Sequence, residues 1–208
     1  ASDVYKRQVP ECSSYDNNHV PWGSTHEKSM YDVQNNDFIM GQFVWTGFDY
    51  IGEPTPYGFP ARSSYFGIVD LAGIPKDVYY MYQSQWRPDK TVLHLFPHWN
   101  WKDGQDVDMW AYYNNADEAE LFVNGESQGV RKMPEDKYHV MWRVKYVPGE
   151  VTVVSRKDGM EVTRRTVKTA GDPYQVRLTP DRNAIKADGS DLSYVLVAVS
   201  YTHLRAHE

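Results

Sequence analysis

Cysteine is almost missing from this chain: Cys12 stands alone among 208 residues. A disulfide within the chain is therefore excluded, and a thiol with no partner motif reads as buried or incidental. Long hydrophobic runs are missing too. No stretch of about 20 apolar residues is present to span a bilayer, and no signal peptide is recognisable. Positive charge is scarce, with 22 Lys and Arg against 28 Asp and Glu and a net charge of −6. No basic stripe remains to neutralise phosphates, which speaks against nucleic acid as a partner. The acids are scattered as a solvated surface would have them. Metal-ligand spacing is also lacking. His94 and His98 bracket Pro97, which argues against a helix that would align the two rings, so both read as packing residues. Asp103 to Asp108 loosely resembles a calcium loop but lacks the closing glutamate, and a polar turn is expected there. The residues imply no metal, no cofactor and no membrane partner.

Aromatic residues, by contrast, are abundant: 16 Tyr and 7 Trp, many of them in loop-like sequence. The densest cluster follows the apolar run Phe38 to Trp45. That run is expected to be a buried strand. It ends in a loop from Thr46 to Tyr57 that mixes aromatics, acids, glycine and proline. A tryptophan at a strand's end with carboxylates just beyond suits a sugar, because the ring stacks on the C–H face of a pyranose while acids and amides accept its hydroxyls.

Along the chain, Ser24 to Glu27 fits a capping box opening a helix that runs to about Val33 and stops at Asn35 and Asn36. Phe66 to Asp70 is a second short extended piece. Pro75 sits where a first helical residue would, and Val78, Met81, Tyr82, Gln85 and Trp86 form one face of a helix ended by Arg87 and Pro88. Helix, strand, long loop and helix are the tail of a (β/α) unit. Beyond about residue 89 the pattern changes to short alternating strands: Leu93 to Phe96, Val107 to Tyr112, Ala119 to Val123, His139 to Tyr146 and Glu150 to Ser155. The dipeptides Asn124-Gly125, Pro148-Gly149 and Asp158-Gly159 separate them, two of these being good hairpin signals. An antiparallel sandwich of about 80 residues is expected. A linker near Ala170 to Pro173 precedes Val176 to Pro180 and Leu192 to Val199, which read as opening strands of another sandwich.

Several segments together resemble glycoside hydrolase family 2, in particular its bacterial β-galactosidase-like members. They are Cys12 to Asn17, His19 to Glu27, Phe43 to Tyr57 and Ala61 to Lys76, with Pro97 to Trp101 as the start of the following module. The resemblance implies an α+β multidomain fragment. Residues 9–88 would be the C-terminal piece of a (β/α)8 TIM barrel, 89–171 an Ig-like β-sandwich, and 172–199 the truncated start of a second one. Residues 1–8 and 200–208 resemble translated sequencing-adapter read-through and are expected to be artificial. On this view 38–45 is the eighth barrel strand, 75–86 the eighth helix, and Trp45 lies at the mouth where barrel enzymes place their chemistry.

The resemblance further implies a retaining exo-glycosidase acting on terminal β-galactosides, bacterial and periplasmic or secreted, with a carbohydrate partner and no implied oligomeric state. Retention requires two carboxyl groups about 5–5.5 Å apart. The family's pair would sit on the fourth and seventh barrel strands, upstream of residue 9, so no catalytic residue is expected in this chain. Glu27 reads as a capping residue and Glu53 as a loop residue. The substrate-binding candidates are Trp45, His19, Trp22, Asp49 and Arg62. For each a plainer role stands beside the functional one: Asp49 bonding loop backbone, Arg62 bracing Glu53 or Asp49, His19 and Trp22 packing their loop. At least one of Trp99 and Trp101 is expected in a core. β-Glucuronidases of the family carry Asn-x-Lys where this chain has Ser64-Tyr65-Phe66, which disfavours a glucuronide and prefers a neutral sugar. Two other readings remain: a non-catalytic carbohydrate-binding or adhesive sandwich, which leaves 38–86 unexplained, and a structural Ig-like spacer, which fits only 89–199.

Overall fold

The computed structural model describes residues 13–201, so Cys12 and the adapter-like residues 1–8 and 202–208 lie outside it. The chain is mostly β, with helices α1 (His26–Gln34) and α2 (Asp77–Trp86) and short strands β1 (Tyr50–Ile51) and β2 (Ser63–Ser64) between them. Then come β3 (Leu93–Phe96), β4 (Asp106–Tyr113), β5 (Glu118–Val123), β6 (Glu126–Arg131), β7 (Val140–Lys145), β8 (Glu150–Lys157) and β9 (Met160–Lys168). A last pair, β10 (Pro173–Pro180) and β11 (Val195–Tyr201), closes the described chain.

Period-two alternation builds the central pair of sheets. In β7, Val140, Trp142 and Val144 are buried while Met141, Arg143 and Lys145 face out. Opposed stripes of this kind join a three-stranded sheet, β3-β4-β7, to a four-stranded one, β6-β5-β8-β9, with all neighbours antiparallel. Their shared core holds Trp99, Met109, Leu121, Trp142, Val151 and Val153. Trp99 is fully buried, its Nε1 donating to the Val147 carbonyl at 3.0 Å, as expected for one of the tryptophan pair. Trp101 instead stacks on His98 at 4.6 Å.

The three-stranded sheet is covered on its other face as well. Trp110 and Tyr112 of β4 and Phe96 of β3 pack against Met30 of α1 and Met81 and Tyr82 of α2. Two-sided burial is why β4 reads as an almost unbroken apolar run, Val-Asp-Met-Trp-Ala-Tyr-Tyr. Polar bonds fasten the same junction. Glu27 of α1 accepts from the Tyr138 amide at 3.1 Å and from His139 Nδ1 at 2.6 Å, and the His139 ring stacks on Trp110 at 3.5 Å. His94 meets Asp77 at 2.7 Å and stacks on Tyr80, so it packs, as expected. Asp106 and Asp108 pair with Lys145 and Arg143, and the calcium-like stretch is a turn running into β4.

Four expectations are corrected. Residues 38–45 form no ladder: Phe38, Met40 and Phe43 stand at 83%, 105% and 103% exposure, because no strand among the described residues lies beside them. The cap of α1 is Thr25 and not Ser24, and Glu27 reaches across to His139 rather than back along the helix. The α1 amides of His26 and Glu27 are taken by the carboxylate of Asp16, at 3.0 and 2.7 Å, which sequence spacing could not reveal. Pro75 lies two residues before α2, whose N-cap is Lys76. Finally, β6 and β9 were not expected as strands. They are polar, yet Asn124-Gly125 and Asp158-Gly159, with φ of 50°, 84°, 51° and 76°, are the two-residue turns that fold them back.

Candidate functional site

The loop from Thr46 to Asp49 lies parallel to 66–69. Thr46 N donates to Phe66 O at 3.1 Å, Ile68 N to Thr46 O at 3.0 Å, Val69 N to Gly47 O at 3.1 Å and Asp49 N to Val69 O at 2.9 Å. This approach is possible only because residue 67 is glycine. A Cβ there would sit 2.1 Å from Asp49 N and 2.5 Å from Val69 O, both backbone atoms that cannot swing aside. Gly67→Ala is therefore expected to part these segments at a cost of about 3 kcal/mol, the upper end of overpacking. Hydrogen exchange at the Asp49 and Val69 amides should quicken while the melting of the β3–β9 sandwich stays put.

Asp49 is buried under this loop. It accepts from Gly67 N at 2.8 Å and from Lys76 Nζ at 2.7 Å, and Lys76 also donates to Tyr65 O at 3.1 Å. The expectation that Asp49 bonds loop backbone is met. The brace comes from Lys76, however, and Arg62 is exposed with no ion pair among the described residues. Arg62 contributes its carbonyl, which accepts from Gly52 N at 3.1 Å.

The held loop presents Trp45 to a cleft of about 480 Å³. Trp22, Trp45, Tyr50 and Phe66 supply its aromatic walls, and Gln42 and Glu53 supply polar groups. Trp45 is 68% exposed and its Nε1 donates to the Tyr50 hydroxyl at 3.3 Å, the two rings meeting edge to face. The peptide between Trp45 and Thr46 is cis. His26 and Tyr82 close one side through a 2.8 Å hydrogen bond between Nδ1 and the phenol. Burial pushes the His26 pKa down to about 3 and pushes the Tyr82 phenol up, so both are neutral near pH 7.

The structure therefore brings together Trp22 and Trp45 from the expected set, but not His19, Asp49 or Arg62. His19 is exposed and its Nδ1 bonds the Val20 carbonyl at 2.8 Å. Tyr50, Phe66, Gln42 and Tyr82 were missed. Tyr50 lies in the aromatic-rich loop already singled out and Gln42 in the apolar run before it, whereas Phe66 reads as part of a short extended piece and Tyr82 as part of a helix face. The two glutamates are kept apart by role: Glu53 lines the cleft, and Glu27 is buried and bound to His139. Ser64 is fully buried, so of the Ser64-Tyr65-Phe66 triplet it is Phe66 that reaches the cleft. Among the described residues no group of three or more potential ligands could hold a metal ion, and no helix is long and apolar enough to cross a membrane.

This fold has close counterparts. Residues 104–163 match a family model described as Domain of unknown function (DUF4982). Beta-galactosidase BoGH2A of Bacteroides ovatus is 66% identical over 188 residues, covering 90% of this chain and 22% of its own. A solved beta-glycosidase from Bacteroides vulgatus superposes with TM-score 0.79 at 34% identity, covering 91% of this chain and 24% of that one. A glycosyl hydrolase family 2 member from Bacteroides cellulosilyticus superposes with TM-score 0.75 at 30% identity, covering 86% and 28%. The chain belongs to glycoside hydrolase family 2. It spans less than a third of the length of each of these three relatives. Relatives named beta-glucuronidase match too, one from Formosa agariphila at 31% identity over 136 residues, covering 64% of this chain and 14% of its own.

Proposed function

We propose that this chain forms one wall of the sugar subsite of a retaining exo-glycosidase that hydrolyses terminal β-galactosides, the acid and the nucleophile lying outside it. The observation that carries the reading is the cleft walled by Trp22, Trp45 and Tyr50. Such walls give a pyranose its apolar stacking face, while Gln42 and Glu53 can accept hydroxyls. On this reading residues 13–88 are the last (β/α) unit of a TIM barrel, with the stretch 38–45 as its eighth strand. That assignment accounts for the exposed Phe38, Met40 and Phe43, which neighbouring barrel strands would cover. The β3–β9 pair of sheets is the Ig-like module, and β10–β11 begin another.

A β-galactoside is preferred over a glucuronide because Phe66, and no cation, stands in the cleft at the place where β-glucuronidases carry lysine. The nearby Lys76 is already spent on Asp49. Identity to a named beta-galactosidase supports the same preference. A non-catalytic carbohydrate-binding protein is the second reading, favoured by a cleft that holds one carboxylate and no pair among the described residues.

In the full-length enzyme, Trp45→Ala is expected to lower kcat/KM for an aryl β-galactoside at least about ten-fold, roughly 1.4 kcal/mol of transition-state binding. Steady-state kinetics with a melting curve as control measures this. An unchanged kcat/KM would remove Trp45 from the site.

A further inference from the structure

We propose that Glu53 is a specificity-determining residue that selects uncharged sugars and rejects those with a carboxylate at C6. The inference rests on the sugar-cleft reading above and concerns the charge that the cleft presents. Glu53 follows β1, in a turn whose neighbours are pinned by the β1–β2 pairing, by Gly52 N on Arg62 O at 3.1 Å and by Tyr57 N on Pro54 O at 2.8 Å. Its carboxylate is exposed, lines the cleft, and takes part in no ion pair or hydrogen bond among the described residues.

No positive charge among the described residues offsets it. His26, the one ionisable base among the described lining residues, is buried and neutral. Lys76 is turned into the loop, 2.7 Å from Asp49. Arg62 is exposed but does not line the cleft. The remaining walls are aromatic, aliphatic, hydroxyl or amide groups, so among the described residues Glu53 is the only formal charge facing a ligand here.

A free carboxylate on an aromatic-walled cleft acts in two directions. It accepts hydrogen bonds from the hydroxyls of a neutral pyranose, and charge-assisted acceptors of this type are stronger than neutral ones. A sugar carboxylate brought within about 6 Å meets like-charge repulsion worth on the order of ten- to hundred-fold in affinity at a surface-like effective dielectric. The preference for neutral sugars thus has a repulsive element as well as a missing lysine.

The test compares aryl β-galactoside with aryl β-galacturonide, which differ only at C6, in the full-length enzyme and its Glu53→Gln and Glu53→Lys variants. Because the ratio of the two kcat/KM values is taken within each variant, partial misfolding cancels. In Glu53→Gln the galactoside:galacturonide ratio should fall at least about ten-fold, galactoside turnover dropping while galacturonide turnover rises, and in Glu53→Lys it should fall further. Added salt should shrink the ratio of the parent enzyme and leave that of Glu53→Gln unmoved. A ratio within two-fold of the parent in both variants overturns the role of Glu53 and leaves the sugar-cleft reading standing. A folded parent that hydrolyses neither sugar overturns that reading and this proposal with it.

Discussion

Aryl β-galactosides are expected to release their phenol no faster with the 208-residue chain than in buffer, roughly a million-fold or more below a competent enzyme. The reason is geometric. Retaining hydrolysis needs two carboxyl groups about 5–5.5 Å apart, one to protonate the leaving group and one to attack. Among the described residues the cleft offers the carboxylate of Glu53 alone. Glu27 is buried at a junction with the sandwich, its oxygen held by His139 at 2.6 Å and by the Tyr138 amide at 3.1 Å. Asp49 is equally committed, to Lys76 and Gly67. A continuous nitrophenolate assay at high protein concentration measures the effect, and turnover clearly above buffer would mean that the acid and the nucleophile are here after all.

Trp99→Ala carries the largest expected cost in stability. The indole is fully buried between the sheets, edge-on to Tyr146 at 5.0 Å, and donates to Val147 O at 3.0 Å. Truncating it removes that packing and strips a carbonyl of its partner, for about 3–5 kcal/mol. In a domain of this size the melting midpoint should drop by roughly 15 °C or more. Differential scanning calorimetry on the chain reads this directly. Trp101→Ala, where the ring is only half-buried against the same core, stacks on His98 and donates to its carbonyl, should shift it less. A drop of a few degrees in Trp99→Ala would contradict the shared core.

Much of this architecture was legible in the residues. Alternation in Val140 to Lys145 and the runs at Val107 and Glu150 place the core strands correctly, because burial on one or both faces imposes its own period. The polar strands escaped for the same reason. Glu126–Arg131 and Met160–Lys168 are edge strands with little to bury, and only their turns announced them. Phe38 to Trp45 carries a strand's apolar signature, but a strand needs a hydrogen-bonded neighbour and none is among the described residues. In the site, Trp45 and Trp22 could be read as exposed aromatics near acids. The partner of Asp49 could not, because Lys76 and Arg62 are equally plausible cations until the Gly67 contact fixes which one faces it.

The position of the nucleophile tests the central claim most directly. A 2-deoxy-2-fluoro-β-galactosyl fluoride should trap the glycosyl-enzyme of the full-length protein, and peptide mapping locates the labelled carboxylate. The label is expected on a glutamate upstream of residue 9, with Trp45 and Glu53 unmodified. A label on Glu53 or Glu27 would contradict the account, because the chain would then carry the reaction and not only one wall of its site.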